Sequence, residues 1–266
     1  MKNLFKQFIT LLFFGSFFVI SFNSCKKDKS EDPYKELKAN ITIEFKAVKG
    51  EENLILFNQY MHPLGYPYQL EMFMSYFHDI YLIDIDENKV LLSDVMLVKF
   101  NDAHMSDDNS GVKFNFEVPK GAYNSISFGI GVGEDKNFSD PAQYPQEHPL
   151  SIYHGTHWDW NTGYIFTKIE GRVNTDPGQS SSYNRALLYH TGLEDLYREV
   201  VLTFPVLKDF TADADNKIRL EFDMDKILEN PDDMLDFATE NSTHTLNNFE
   251  LAERVVNNLV SSISVE

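Results

Sequence analysis

Thiols are almost absent from this chain: its 266 residues include one cysteine, Cys25. One thiol excludes a fold stapled by disulfides, and it excludes a metal centre built from several thiolates. Basic charge is also scarce, with 23 Lys and Arg against 41 Asp and Glu, for a net charge of -18. A surface of that sign repels nucleic-acid phosphates, so no nucleic-acid partner is expected. Catalytic signatures are missing as well: there is no HExxH, no G-x-S-x-G elbow and no phosphate-binding glycine loop. No internal repeat occurs. Acidic turns such as Asp84-Ile85-Asp86-Glu87-Asn88 and Asp213-Ala214-Asp215-Asn216 lack EF-hand spacing and read as solvated hairpin tips. Nothing in the sequence supports an enzyme.

What is present begins at the N-terminus. Lys2 and Lys6 precede an apolar run from Phe8 to Phe22, which ends in Asn23-Ser24-Cys25. A short basic region, an apolar core and small polar residues before a cleavage point define an export signal. The run is shorter than the roughly 20 apolar residues of a membrane-spanning helix. The cysteine at its end resembles a bacterial lipobox, which implies acylation of Cys25 and a lipid anchor at a membrane of the cell envelope, periplasmic or surface-exposed. Removing Met1–Ser24 deletes two lysines and no acids, which moves the net charge from -18 to -20. The expected organisation is a signal peptide at 1–24, a charged flexible tether at 25–38 and a single domain at 39–266.

Within that domain, period-2 alternation starts at Ile41, Ile43 and Phe45 and marks half-buried strands. Further strands are expected at 54–57, 77–85, 90–92, 95–100, 112–118, 125–132, 164–173, 186–190, 200–204 and 218–222. Asp86-Glu87-Asn88 and Pro119-Lys120-Gly121 are their turns. The 22 Phe and 13 Tyr supply a thick aromatic core. Short strands separated by Gly, Pro, Asn and Asp clusters predict an all-β antiparallel sandwich. Leu251, Val255, Leu259 and Ile263 recur every four residues and predict one short C-terminal helix capped by Asn248.

The segment 133–154 is long and irregular, and such loops are more often functional than decorative. It leads into His148, His154, His157, Trp158 and Trp160, three of the eight histidines and both tryptophans. Imidazole suits copper and zinc, and an extended segment would place the two indoles on one face. Met61, Met72, Met74, Met96 and Met105 offer soft thioethers but read as core filler; His62 and His78 read as strand-end residues.

From these residues a resemblance emerges over nearly the whole domain. The string Trp158-Asp159-Trp160-Asn161-Thr162-Gly163-Tyr164-Ile165-Phe166, continuing to Lys168-Ile169-Glu170-Gly171, is its most specific part. With it go the stretches 73–82 and 119–132, His148-Pro149-Leu150, Leu188-Tyr189-His190-Thr191-Gly192, and Ser242-Thr243-His244 with the closing helix. Together these resemble the MbnP family of exported copper-binding proteins, related to MopE and CorA. The sequence departs from the family's pattern at His157, where an apolar or aromatic residue is usual. The resemblance implies a β-sandwich whose histidines bind copper, with His190 as a ligand and His157, His154 and His148 beside it. It further implies oxidation of Trp158 or Trp160 to kynurenine by a di-haem partner of the MbnH type, related to cytochrome c peroxidases. The competing reading is a non-enzymatic surface module that captures a peptide or glycan with its Trp/Tyr-rich loop.

Overall fold

The computed structural model describes residues 37–108, 110–158 and 163–266. Cys25, most of the expected tether and Trp160 lie outside the described residues. Residues 36–266 form one unit. Its described residues hold thirteen strands: β1 Lys38–Lys49, β2 Glu52–Asn53, β3 Tyr60–Met61, β4 Pro67–Asp84, β5 Lys89–Lys99, β6 Val112–Pro119, β7 Gly121–Ile130, β8 Ile165–Val173, β9 Arg185–Gly192, β10 Arg198–Phe210, β11 Asn216–Asp223, β12 Ser242–Thr243 and β13 Ile263–Val265. Helices are few: α1 Glu134–Asn137, α2 Met224–Leu228 and α3 Phe249–Ser261. No helix among the described residues is long and apolar enough to cross a membrane.

Two sheets result, as the alternation predicts. In the first, β1 lies between β11 and β6, with β13 beyond β11 and the short β2 against the end of β1. In the second, β4 is the spine. Its 18 residues pair with β8 over the first half and β7 over the second, while β5 runs along the other edge. From β8 the sheet continues to β9 and β12; from β7 it continues to β10. Most pairings are antiparallel, but β1 with β11 and β12 with β9 are parallel. Alternation cannot reveal direction, because either direction puts the same residues inward. The expected strands at 90–92 and 95–100 are one strand, β5, and Ile263 belongs to β13 rather than to the helix.

The inward faces meet in an aromatic core. Phe222 of β11 packs against Phe100, Phe77, Phe45 and Phe73, with ring centroids 5.2, 5.7, 6.3 and 6.3 Å away. All five rings are fully buried. Each such ring contributes about 1.5–3 kcal/mol by leaving water, and edge-on packing adds to that. The Asn248 side chain accepts the Leu251 amide at 3.2 Å and starts α3, which buries Leu251, Val255 and Leu259 against this core.

The outward face of the second sheet is covered too. Tyr76 and Val95 project there and join Val132, Leu150, Tyr164 and Phe166 in a second apolar cluster. The described residues between 133 and 164 are thus packed down, with the Tyr76 hydroxyl donating to Pro149 O at 2.7 Å and that of Tyr164 to Leu150 O at 2.8 Å. Met61 and Met105 are exposed, whereas Met74 and Met96 are buried. His78 sits inside β4, not at a strand end, buried between Asp135 and Tyr197. Phe222→Ala should cost about 3–5 kcal/mol, the range for removing a buried aromatic ring. Chemical denaturation of the variant beside the unsubstituted protein measures it, and a loss below about 1 kcal/mol would contradict the assigned hub.

Candidate metal centre

On β9, Leu187, Tyr189 and Thr191 point into the core, so Leu188, His190 and Gly192 face outward. The neighbouring β8 alternates likewise and presents Lys168 and Glu170 on the same side, with Lys168 directly opposite His190. On the other flank the two-residue β12 pairs Ser242 with Leu188 and Thr243 with Tyr189. The residue that follows is His244. Strand register therefore delivers two histidines 54 positions apart to one spot, with Nδ1 of His190 and Nδ1 of His244 separated by 3.0 Å.

The turn after β12 is held firmly. Thr245 has φ 62°, a left-handed conformation that a β-branched residue adopts only under strain. Its hydroxyl donates to His190 O at 3.0 Å and accepts from Gly192 N at 3.1 Å, tying the turn to the end of β9. The Thr245 amide donates to the Thr243 hydroxyl at 3.0 Å, and the His244 amide donates to Asn247 Oδ1 at 2.6 Å.

Each ring nitrogen of His190 has a defined role. Nε2–H donates to Glu170 Oε1 at 2.8 Å, and the same oxygen takes Lys168 Nζ at 3.2 Å. A carboxylate only accepts, so the proton sits on Nε2 and leaves Nδ1 with its lone pair facing His244. Metal-ligating histidines are commonly oriented in this way by a carboxylate on the far nitrogen. The His190 hydrogen bond, reinforced by Lys168, holds the Glu170 carboxyl down at about 2. Burial, then the neighbouring His190, lowers the His244 pKa and favours its neutral ring; its Nδ1–H is then the donor to the His190 Nδ1 lone pair at 3.0 Å, a proton that an ion between the rings would replace. An open depression lined by Glu170, Arg172, Tyr183, Arg185 and Leu188 adjoins the pair.

Trp158 lies alongside. It is buried, and its six-membered ring fills the space where Gly192 would carry a side chain: a Cβ there would stand 2.5 Å from Cη2 and 2.6 Å from Cζ3. The indole thus covers the residue two positions from His190. His157 forms a β-bridge with Tyr164 and meets its ring edge-on at 5.0 Å.

His148 and His154 have other work. Nε2 of His154 donates to His148 O at 3.0 Å and Nδ1 accepts from Lys99 at 2.9 Å, so both nitrogens are occupied. His148 accepts the Leu150 amide at 3.1 Å and stacks on Tyr144 at 4.2 Å. Their closeness to Trp158 in sequence thus does not join them to His190. Sequence reasoning passed over His244, Glu170 and Lys168 as site residues, although all three stand in the stretches that carry the family resemblance. Among the described residues no group of three His, Cys, Asp or Glu converges on one point. At this spot the chain brings together two imidazoles. Nitrogens 3.0 Å apart fit one ion bonded to each at about 2.0 Å.

Two outcomes follow from this geometry. Gly192→Ala should force Trp158 off its seat and destabilise the fold by about 1–3 kcal/mol, the usual cost of overpacking, with a changed near-ultraviolet circular dichroism spectrum as its signature. Since the His244 pKa is lowered, its ring should titrate with a midpoint below 6.5 in a proton NMR titration. A neutral ring favoured by folding contributes stability above that pH and loses it as the pH falls. Depression of the Glu170 pKa adds stability that disappears only as the pH drops from about 4.5 towards 2.

Comparison with known proteins agrees with the architecture. Among solved structures, MbnP from Methylosinus trichosporium aligns with a TM-score of 0.52 and 17% identity, covering 75% of this chain and 79% of that one. None of the curated proteins matches. The sequence model of the MbnP family matches residues 38–247, a span that includes β1, the whole second sheet and His244. This chain belongs to the MbnP family.

Proposed function

We propose that this protein is an exported, lipid-anchored copper-binding protein, not an enzyme, whose metal ligands are His190 and His244. The observation that carries the reading is the 3.0 Å approach of their Nδ1 atoms, with Glu170 fixing the tautomer of His190. Imidazole ligands suit copper, and with Cys25 committed to lipid no thiol competes for it. Bound copper would supply affinity for imidazole and one-electron redox chemistry; the chain supplies two neutral rings, held by β9 and the Thr245 turn. Trp158 borders this site through Gly192, and His157 precedes it in the chain. His148 and His154, engaged with Lys99, Leu150 and Tyr144, support the loop that carries Trp158.

The tryptophan part of the proposal keeps Trp158 and Trp160 as candidates for oxidation to kynurenine by a di-haem, peroxidase-like partner. Trp158 beside Gly192 is placed so that its modification would alter the wall of the histidine site. The reading as a glycan-binding module draws less support, since the buried Trp158 offers no open ring face for stacking.

Copper titration of the purified protein, in Cu(I) and Cu(II) forms, tests the ligand assignment. Ligand at a hundredfold excess over Kd stabilises a fold by about 2.7 kcal/mol, which raises Tm measurably. His190→Ala and His244→Ala should each abolish that rise, and Glu170→Gln should weaken affinity by about 10–100-fold. Retention of the rise in both histidine variants, or its loss only in His154→Ala, would overturn the assignment. Intact mass of protein from its native envelope reads out the acyl group on Cys25 and any tryptophan oxidation together.

A further inference from the structure

We infer that one end of the sandwich, carrying Leu37, Ile85, Val206 and Leu207, lies against the lipid bilayer and holds the histidine pair on the side away from it. The inference rests on the proposed acylation of Cys25. Four separate segments meet at this end around the Pro119–Tyr123 turn. Leu37, where the chain enters the domain, accepts the Lys120 amide at 2.8 Å. Ile85, at the tip between β4 and β5, donates its amide to Ala122 O at 3.3 Å. Lys208, Asp209 and Phe210 of β10 pair with Tyr123, Ala122 and Gly121.

Just before Lys208 the β10 ladder is interrupted between Thr203 and Lys208, and the intervening residues bulge from the sheet edge. That bulge turns apolar side chains outward: Val206 is 74% exposed and Leu207 52%, beside Leu37 at 68% and Ile85 at 57%. Neither sheet nor loop covers them. An interfacial site combines apolar side chains with basic ones that reach headgroups. Here Lys120 is exposed next to Leu37, and the exposed Lys38 is paired with Glu117 at 3.2 Å. Asp86 and Glu87 at the neighbouring hairpin tip oppose binding to strongly anionic lipid, which makes a zwitterionic surface the appropriate one.

Chain length argues for the same occupant. Leu37 is only twelve residue steps from Cys25, a reach of at most about 40 Å, so an acyl group on Cys25 keeps this end near the membrane. The row containing Lys168 and His190 lies opposite Met74 of β4, ten residues from Asp84. At about 3.3 Å per residue that is roughly 30 Å along the strand. The contact would thus orient the histidine pair outward, as two attachment points do where one acyl chain alone leaves orientation free.

The full-length acylated protein in zwitterionic phosphatidylcholine vesicles tests this. With Cys25 acylated, a cysteine introduced by Ile85→Cys, Val206→Cys or, at the opposite end of β4, Met61→Cys is the single labelling point for an environment-sensitive fluorophore. Probes at 85 and 206 should shift to shorter wavelength and be quenched by doxyl-labelled lipid, while the probe at 61 stays aqueous. Equal, aqueous behaviour of all three in acylated protein would overturn the proposed face and leave the lipoprotein reading standing. Shielding that follows protein concentration and not lipid would assign the face to a second copy and overturn it as well. An intact mass without acyl chains would sink the lipoprotein reading, and the bilayer contact with it.

Discussion

Everything in this domain is arranged around one constraint: five phenylalanines from both sheets must share a single buried space. Phe45, Phe73, Phe77, Phe100 and Phe222 interlock without a disulfide to assist them. Their positions fix which face of every strand points inward, because a slip of one residue would turn each ring out to water. The charged residues of β8 and His190 of β9 then fall on an outward face. On the second sheet that outward face divides in two. One part is sealed by Tyr76, Leu150, Tyr164 and Phe166 under the 133–164 segment, and the other bears Lys168, Glu170 and His190.

Much of the fold is legible in the sequence, and the reasons are local. Alternation at Ile41, Ile43 and Phe45 reports burial directly, and the 86–88 and 119–121 turns carry residues that favour reversals. Asn248 announces α3 because an amide side chain can accept an orphan helix donor. Direction and partnership are not local. Nothing in Asn216–Asp223 says that it runs parallel to β1, and nothing in β4 says that three long strands will share its two edges.

The site shows the same division more sharply. His148, His154 and His157 cluster in sequence, yet hydrogen bonds to Lys99 and Leu150 and ring contacts to Tyr144 and Tyr164 draw them into the loop's own packing. His190 meets His244, which lies far along the chain, through a ladder only two residues long. Spacing rules see neither event. What the sequence does carry is the pattern of glycines around them, and the structure gives Gly192 a physical meaning. It is small because an indole and the Tyr164 carbonyl oxygen, 2.6 Å from where a Cβ would stand, occupy the place of its side chain. A motif that reads as a signature is here a record of one close contact between two strands' worth of chemistry.

The two-residue β12 has a consequence for how the molecule comes into being. His190 is in place as soon as β8 and β9 have paired, but its partner arrives with a segment made later, after β10, β11 and α2. A chain emerging from its N-terminus can complete most of both sheets while the histidine pair is still half built. The strained Thr245 turn then docks as a latch, using hydroxyl bonds to a strand end that must already exist. The pair is therefore completed late in the chain, with only α3 and β13 still to follow.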